Sequence, residues 1–510
     1  MPRYAAIDIG SNSVRMLAAE LEAGAPLRVL VEDRQVTRLG ESVFRGGQMD
    51  EPSMTLTLRT LERMVDLYRP HNVLAARVVA TSAVRDARNQ AVFLERAGAI
   101  AGQQVELISG QEEARLIHLG VEASWPHPQE RLLIVDIGGG SAEIIEAEHG
   151  RLKRAFSRPL GAVRLQSVFL ENDPPSLDDL LRLEEFIAQK LSLAVQKLGA
   201  LHFDRAIGSA ASASAVICAA NAIPRTRREL ADRRKVTVAQ LRRLYGDLSR
   251  LDLAARRKVV GLGYRRAEII LPGVAVLLRT LEAFGLRSLS YCAAGVREGI
   301  VHDLAGRGVG REQARLNREQ RDMLEQFARR FGVDLRHARK VAHFALALFH
   351  ALERLHRLPF GEGRLIEAAA YLRDVGHAIS YTGHHKHSQY VVANADLGGF
   401  TENERLRVAM LCRYHRKSMP AARHADFMAL PPEDRRAVTL LAPLLRIADA
   451  LDRSREQRVE RIGCTLGPAG VTLCLEASQD IGLERWAVDG AAAVFREVYG
   501  AALTVESVTP

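Results

Sequence analysis
Short apolar runs and longer amphipathic segments alternate through the first 120 positions of the chain. "YAAIDI", from Tyr4, is a nearly unbroken apolar run that closes on an Asp, and it predicts a buried strand. "SMTLTLRTLERMVDLYR", from Ser53, has helical spacing. "VLAARVVAT" and "QQVELIS" read as strands, and "AVRDARNQAVFLERAGAIAG" as one helix stopped by Gly102. "SVRMLAAEL" fits strand and helix alike. "SGQEEARLIHLGVEAS" opens with Ser109 and, three residues on, Glu112, the capping-box spacing of a helix start.

A second section of the same texture opens with "RLLIVDI" at Arg131 and runs to about residue 305. In it, "NDPPSLDD" predicts a loop before a long helix near 177 to 198. "GRGVG", 306 to 310, reads as a linker, and the pattern beyond it is helical to about residue 455. The last stretch reads as a hairpin around Gly467 to Gly470 and then a helix. A chain of 510 residues exceeds what one core serves. The expected domains are 1–122, 123–305, 306–455 and 456–510.

Both α/β sections open with a strand ending in Asp-Ile-Gly: "IDIGSNS" and "VDIGGGSAE", 128 positions apart. Glycines after a strand let the backbone approach an anion and turn its N–H groups inward. Asp8 and Asp136 at the strand ends repel a phosphate unless they hold a cation or polarise a water. One such loop equals an ordinary glycine turn. Two, opening two similar units, can close on a phosphate from both sides. The spacing GxxxxGK[ST] is absent, and "DIGGGSAE" lacks the dinucleotide-binding spacing.

Composition adds a partner class. The formal net charge of +10 favours a polyanion, with simple solubility as the plain alternative. Aromatic residues make up only 5%, too few for the stacking platforms of single-strand binding, so no specific nucleic-acid partner is expected. The longest apolar run, "IILPGVAVLL", is interrupted by Pro272 and Gly273, and no membrane span is expected. Five cysteines without a CxxC, and a start lacking a signal-peptide core, lead us to expect reduced, buried thiols in a cytoplasmic protein.

The words "AIDIGSNSVRML", "ATSAVRDARN", "ISGQEEARLIHLGV", "VDIGGGSAEI", "PLGAVRL", "RAEIILPG" and "GVREG" occur in this order over roughly residues 4 to 300. In them the chain resembles the exopolyphosphatase/guanosine-pentaphosphate phosphohydrolase family, within the superfamily of actin-like ATPases and sugar kinases. The resemblance implies an α/β N-terminal half of two actin-like, sugar-kinase-like, ribonuclease H-type domains. An all-α HD-like domain and a small α+β C-terminal domain follow.

By the same resemblance, Glu113 is the general base for water, a role its place near a helix N-terminus does not itself demand. Asp8, Asp136 and Glu143 would hold Mg²⁺. Ser11, Asn12 and Ser13 face Gly138, Gly139, Gly140 and Ser141 as two phosphate cradles. Arg85 would clamp phosphate, and an Arg in the first turn of a helix opposes the dipole, a further hint of a ligand. Ala210 and Ala211 stand where relatives carry a glycine-rich loop, and Glu268 where an Asp is expected. The implied activity is release of orthophosphate from the end of inorganic polyphosphate. Hydrolysis of guanosine pentaphosphate is the nearest rival, a regulatory binding protein the rival of a different class, a sugar kinase or ATPase a third reading that lacks a recognisable nucleotide pocket, and a homodimer the expected assembly.

Ten of the sixteen histidines fall between His337 and His424, which calls for a metal test. His337, His387, His415 and Asp449 follow the order of an HD phosphohydrolase, but the central pair reads Arg373-Asp374. Arg cannot ligate a metal, so that centre is expected to be lost. "RHARK", "GHHKH" and "CRYHRKS" remain as a basic face able to line a path for a long polyanion.

Overall fold
The computed structural model describes residues 1–22, 25–199, 201–306, 315–467 and 470–508. The chain divides into two compact units, Met1–Gly306 and Arg307–Pro510. Most of the expected linker, 307 to 310, lies outside the described residues.

In the first unit, strands β1 (Arg3–Ile9), β2 (Ser13–Glu20), β3 (Arg28–Val36), β4 (Ala75–Ala80) and β5 (Glu106–Leu107) form one sheet in the order β3-β2-β1-β4-β5. Strands β6 (Arg131–Ile137), β7 (Ala142–Glu148), β8 (Arg151–Arg158), β9 (Arg205–Ser209), β10 (Lys235–Thr237) and β11 (Ser288–Tyr291) form the second, in the order β8-β7-β6-β9-β11-β10. Each sheet is a three-stranded antiparallel meander to which later strands add in parallel: β4 on β1, and β9 on β6. The duplication read from two loops is thus a duplication of strand order, with β10 as an extra antiparallel edge.

The ambiguous "SVRMLAAEL" is β2. Its partner β1 supplies what periodicity could not: a tight reversal at Gly10 to Asn12 and a full antiparallel register from Ile9↔Val14 to Arg3↔Glu20. The single helix expected from Ala83 to Gly102 is two, Ser82–Asp86 and Gln90–Ala101. The break is tertiary. Arg88 reaches the carbonyls of Gly46 and Gly47, and the Asn89 side chain both donates to the Met49 carbonyl and accepts from its N–H.

Side-chain alternation then sorts the strands. Leu133, Val135 and Ile137 face one core, while Leu132 and Ile134 face another shared with Ala114, Ile117 and Val121 of the helix Gly110–Ser124. The helices Gly110–Ser124 and Val296–Gly306 cross at glycines. A Cβ on Gly299 would lie 1.8 Å from the Leu116 carbonyl oxygen, and one on Gly120 2.3 Å from that of Gly295. Beneath this crossing runs a buried ion network. Arg77 binds Glu106, Glu112 and Asp303, and Arg115 binds Glu112 and Asp303, the last at 2.6 Å.

The second unit is mostly helical, with helices at Arg318–Arg330, Leu335–Ala351, Gly363–Leu372, His384–Ala393, Glu402–Tyr414 and Pro432–Ala450. A small α+β segment follows: β12 (Arg461–Gly467), β13 (Gly470–Glu476), the helix Gly482–Tyr499 and β14 (Ala502–Val508). β12 and β13 are the expected hairpin, paired up to Gly467↔Gly470, and β14 adds in parallel. Leu473, Leu475, Val488 and Phe495 of this segment share one core with Phe344, Ile366 and Leu444 of the helices. Cys464 and Cys474, expected to be buried, are only half-buried, because they alternate toward the outer face of the hairpin.

Gly299→Ala forces two backbones apart and should lower stability by about 2 kcal/mol or more. Gly246→Ala, on a helix where an added Cβ meets nothing, should instead raise it by roughly 0.5–1 kcal/mol. Denaturant midpoints of the two variants against the parent check both signs.

Candidate active site
The two Asp-Ile-Gly loops are built alike. Gly10 N–H donates to the Ser13 carbonyl at 3.1 Å, and Gly138 N–H to the Ser141 carbonyl at 3.0 Å. In register, Asp8 stands opposite Arg15, and Asp136 opposite Glu143. Asp8 and Asp136, at even positions of β1 and β6, point away from the faces that bury Ile7 and Val135. They point toward the side covered by the helices Gly110–Ser124 and Val296–Gly306, which pack on β7 and β1.

One pocket receives both loops. It is lined by Asp8, Ser11, Asn12, Ser13, Glu113, Asp136 and Gly138 through Ser141, joined by Arg15, Arg266 and Arg297. The loops touch. A Cβ on Gly139 would lie 3.0 Å from the Asn12 nitrogen, and one on Gly140 2.5 Å from Ser82 Oγ and 2.7 Å from Ser11 Oγ. So these glycines are required by loop-on-loop contact as well as by any ligand. The N–H groups of Ser11, Asn12, Gly139 and Gly140 donate to no backbone carbonyl among the described residues.

Helix Gly110–Ser124 separates its two glutamates. Ser109 Oγ accepts from the Glu112 N–H at 3.1 Å, and the Glu112 carboxylate is held by Arg77 and Arg115. Burial disfavours its charge, but the two guanidinium groups override this and hold the Glu112 carboxyl below its ordinary range. Anchored there, the helix turns Glu113 into the pocket. Glu113 is buried, and its Oε2 has no hydrogen-bond partner among the described residues. Arg85 Nη1 is 3.9 Å from it and donates to the Ile108 carbonyl at 2.6 Å. Arg85 lies in the last turn of its five-residue helix, not the first, where a cation suits the helix dipole.

Four carboxylates meet here, and each is pushed toward its neutral form. Burial raises Glu113 well above the ordinary range, with Glu143, Asp8 and Asp136 adding and Arg85 opposing. Burial and Asp136 push Glu143 up to about 8, against the hydrogen bond from Ser157 Oγ at 2.8 Å. Asp8 is pushed up to about 6 by burial, opposed by Arg15 and Arg297. Asp136 is also raised by burial, and Ser209 Oγ donates to it at 2.5 Å. Glu143 is fully buried. Asp8 Oδ1, Glu113 Oε2 and Glu143 Oε2 are buried without hydrogen-bond partners among the described residues. An acceptor-only cluster of oxygens fits a hard divalent cation such as Mg²⁺.

Beside this pocket opens a cavity of about 910 Å³ that sequence reasoning missed. Arg15, Arg34, Arg225, Arg228, Arg266 and Arg297 line it, with Glu32, Asp33, Glu229 and Glu298. Arg15, Arg34, Arg225 and Arg228 have no ion-pair partner among the described residues. Desolvation, and then the charge of Arg15, depress both Arg34 and Arg266. The sequence signals were Arg15, Arg266 and Arg297, which fall inside three separate words of the family pattern, "AIDIGSNSVRML", "RAEIILPG" and "GVREG". Ala210 borders both spaces at φ 61°, a conformation that favours glycine. Glu268 bridges Arg257, at 2.8 Å, and Arg38.

In the helical unit, Arg373 is fully buried and sits where the HD pattern has a metal ligand. It binds Asp449 Oδ1 at 2.7 Å, the Ala370 carbonyl and His337 Nε2. The residue facing His415 is His384, not His387. His337, His384, His385 and His415 are buried, while Arg336, Arg339, Lys386, Arg416 and Lys417 of the three basic words are exposed.

Paired glycine loops on duplicated sheets, with buried carboxylates between them and an arginine-lined cavity beside them, place the protein among two-sheet α/β proteins with a pocket suited to an anion. The chain belongs to the Ppx/GppA phosphatase family. The family's sequence pattern matches residues 17–307, and that of Ppx/GppA phosphatase, domain III, matches residues 320–485. A guanosine-5'-triphosphate,3'-diphosphate pyrophosphatase of Aeromonas hydrophila is 29% identical over 474 residues, covering 89% of this chain and 88% of that protein. The Ppx/GppA enzyme of Aquifex aeolicus is 29% identical with a TM-score of 0.52, over 59% of this chain and 99% of that one. An exopolyphosphatase from Cytophaga hutchinsonii shares the fold, at 23% identity and TM-score 0.55 over 59% of this chain and 97% of that one. No helix among the described residues is long and apolar enough to cross a membrane.

Glu143→Gln tests the electrostatics without substrate. Its carboxyl is raised in the fold, so native protein keeps its proton while the unfolded chain loses it from about pH 4.5 upward. The parent therefore loses stability between that pH and about 8, and the amide does not. The variant should match the parent at pH 4 and exceed it by a few kcal/mol at pH 8. Equal urea midpoints at pH 8 would count against the buried cluster.

Proposed function
We propose that the protein is a phosphohydrolase that removes the terminal phosphoryl group of inorganic polyphosphate. The observation that carries this reading is Glu113: a buried carboxylate with an unpartnered oxygen, in the pocket where both glycine loops meet. The shared strand order of the two sheets supports the actin-like, ribonuclease H-type assignment, in which a ligand sits between two such halves.

In this reading the N–H groups of Ser11, Asn12, Gly139 and Gly140 and the hydroxyls of Ser13 and Ser141 hold the terminal phosphate. Arg85 approaches from the Glu113 side. Asp8, Asp136 and Glu143 would hold Mg²⁺, which when bound offsets phosphate charge and returns these carboxyls to their ionised form. Glu113 takes a proton from a water as the water oxygen bonds to phosphorus and the anhydride P–O bond breaks toward the shortened chain. Its raised proton affinity suits a base working near neutral pH. The arginine-lined cavity takes the remaining negative chain.

A guanosine pentaphosphate substrate is the second reading, favoured by the named activity of the Aeromonas relative. A cavity of about 910 Å³ has room for a nucleoside, and Tyr264 and Tyr291 stand in its wall. The homodimer implied by the family resemblance belongs to this proposal too.

Phosphate release from long polyphosphate, tripolyphosphate, guanosine pentaphosphate and ATP, each with Mg²⁺, ranks the readings. Long polyphosphate should be turned over best. No release from any of the four sinks the enzyme proposal. Glu113→Gln should lower kcat by at least 100-fold with little change in KM. Arg34→Ala should raise KM about tenfold with kcat nearly kept, because it removes binding shared by ground and transition states.

A further inference from the structure
The helical unit holds a group of side chains that the phosphohydrolase reading leaves unused. Asp374 follows the helix Gly363–Leu372, and His377 lies three residues on, in the short turn Val375–Ala378. His384 opens the helix His384–Ala393, and His415 caps the helix Glu402–Tyr414. One donor atom from each of Asp374, His377 and His384 lies within 4.8 Å of the others. Asp374 Oδ1 is 3.7 Å from His384 Nε2 and 4.0 Å from His377 Nδ1. His415 Nε2 is 3.3 Å from His384 Nε2.

The tautomers decide what this group can hold. His415 Nδ1 lies 2.8 Å from the Cys412 carbonyl, and His384 Nδ1 3.2 Å from the Tyr381 carbonyl. A carbonyl only accepts, so each Nδ1 carries the hydrogen and each Nε2 presents a lone pair. Two lone pairs then face each other at 3.3 Å, beside a carboxylate oxygen. None of the three has a proton to give. A cation between them resolves the conflict. Such backbone contacts to the far ring nitrogen are also how metal-binding imidazoles are oriented. Arg416 Nη1, 3.4 Å from His384 Nδ1, competes with Tyr381 from further away.

The surroundings are rigid. Gly376 packs so closely on the following helix that a Cβ there would lie 2.2 Å from the His384 carbonyl oxygen. Ser388 Oγ ties the turn to that helix, accepting from Gly376 N–H at 2.9 Å and donating to the Arg373 carbonyl at 2.6 Å. Asp374 divides its charge: Oδ2 faces Arg373 at 3.4 Å and Arg455 at 3.9 Å, and Oδ1 is left to the histidines. His384 and His415 are buried, and His377 is partly exposed, which leaves an entry path.

We propose that Asp374, His377, His384 and His415 form a second metal site, for a divalent transition ion of the Zn²⁺ type, separate from the phosphate pocket. Three imidazoles and one carboxylate are a borderline-soft set that suits Zn²⁺ over Mg²⁺. Tetrahedral bonds of about 2.0–2.1 Å place ligand atoms roughly 3.4 Å apart. The separations of 3.3 Å from His384 to His415, 3.7 Å from His384 to Asp374 and 4.0 Å from His377 to Asp374 lie near that value. Filled, the site clamps the turn, the helix it precedes and the end of a third helix. Arg373 thus fills one cation position of this fold with its guanidinium and leaves a neighbouring one to a metal.

The test uses the full-length protein, stripped with a chelator and dialysed against Zn²⁺, with metal counted by mass spectrometry and Co²⁺ used as a spectroscopic probe. The wild type should retain one equivalent of Zn²⁺, show the intense visible absorption of tetrahedral Co²⁺ and gain thermal stability on Zn²⁺ addition. His384→Ala should lose the equivalent. His377→Ala, at a partly exposed position that tolerates truncation, should fold normally and bind at least tenfold more weakly. The double variant Asp136→Asn, Glu143→Gln should keep the signal in full. No Zn²⁺ above the dialysis level in the wild type overturns the proposal. So does binding unchanged in His377→Ala, or binding lost in the Asp136/Glu143 variant.

Discussion
Four carboxylates buried within reach of one another set the terms for the first unit. Asp8, Glu113, Asp136 and Glu143 all gain proton affinity, with burial the leading cause. A fold does not place such a group in its interior without a counterweight. Arg15, Arg85 and Arg297 supply part of it, and unpartnered oxygens on Asp8, Glu113 and Glu143 remain. In the proposed function a bound cation is the remaining counterweight to these carboxyls. Strand alternation produces it, because Asp8 and Asp136 occupy equivalent positions of duplicated strands and turn to the side covered by two helices. The Gly120–Gly299 crossing and the Arg77–Arg115 ion network fix the helix that brings Glu113.

The duplicated loops carry a second constraint. Gly139 and Gly140 lack side chains partly because Asn12, Ser11 and Ser82 occupy that space. Sequence reading explained these glycines by an incoming anion alone. In the folded chain they also let one loop lie against the other, so that both sets of N–H groups open on the same pocket. Ala210 carries a smaller version of this demand, held at positive φ where the two cavities meet.

Much of the fold was legible because its signals are local. Apolar runs ending in Asp-Ile-Gly, the capped helix after Ser109 and the loop before Leu177 need only neighbours in sequence. What failed was tertiary. The helix expected through Arg88 and Asn89 breaks because those side chains are recruited by Gly46, Gly47 and Met49. β5 is two residues long because only Glu106 and Leu107 find ladder partners on β4. The arginine cavity draws Arg15, Arg34, Arg228 and Arg266 from four distant segments, and no spacing rule links them. In the helical unit, Arg373 was correctly seen as unable to ligate. His384 and His387 differ by one helical turn, and only packing selects which faces His415.

Cation binding to the buried carboxylates tests the account most directly, through the protons it must displace. Isothermal titration of Mg²⁺ at pH 7, in buffers of different ionisation enthalpy, counts them. With Glu143 raised to about 8 and Glu113 higher than an ordinary carboxyl, at least about one proton should leave per Mg²⁺ bound. That number should fall as the pH is raised toward 9 and drop in Glu143→Gln. Binding with no proton release at pH 7 would mean that the carboxylates are already ionised, and would contradict the account.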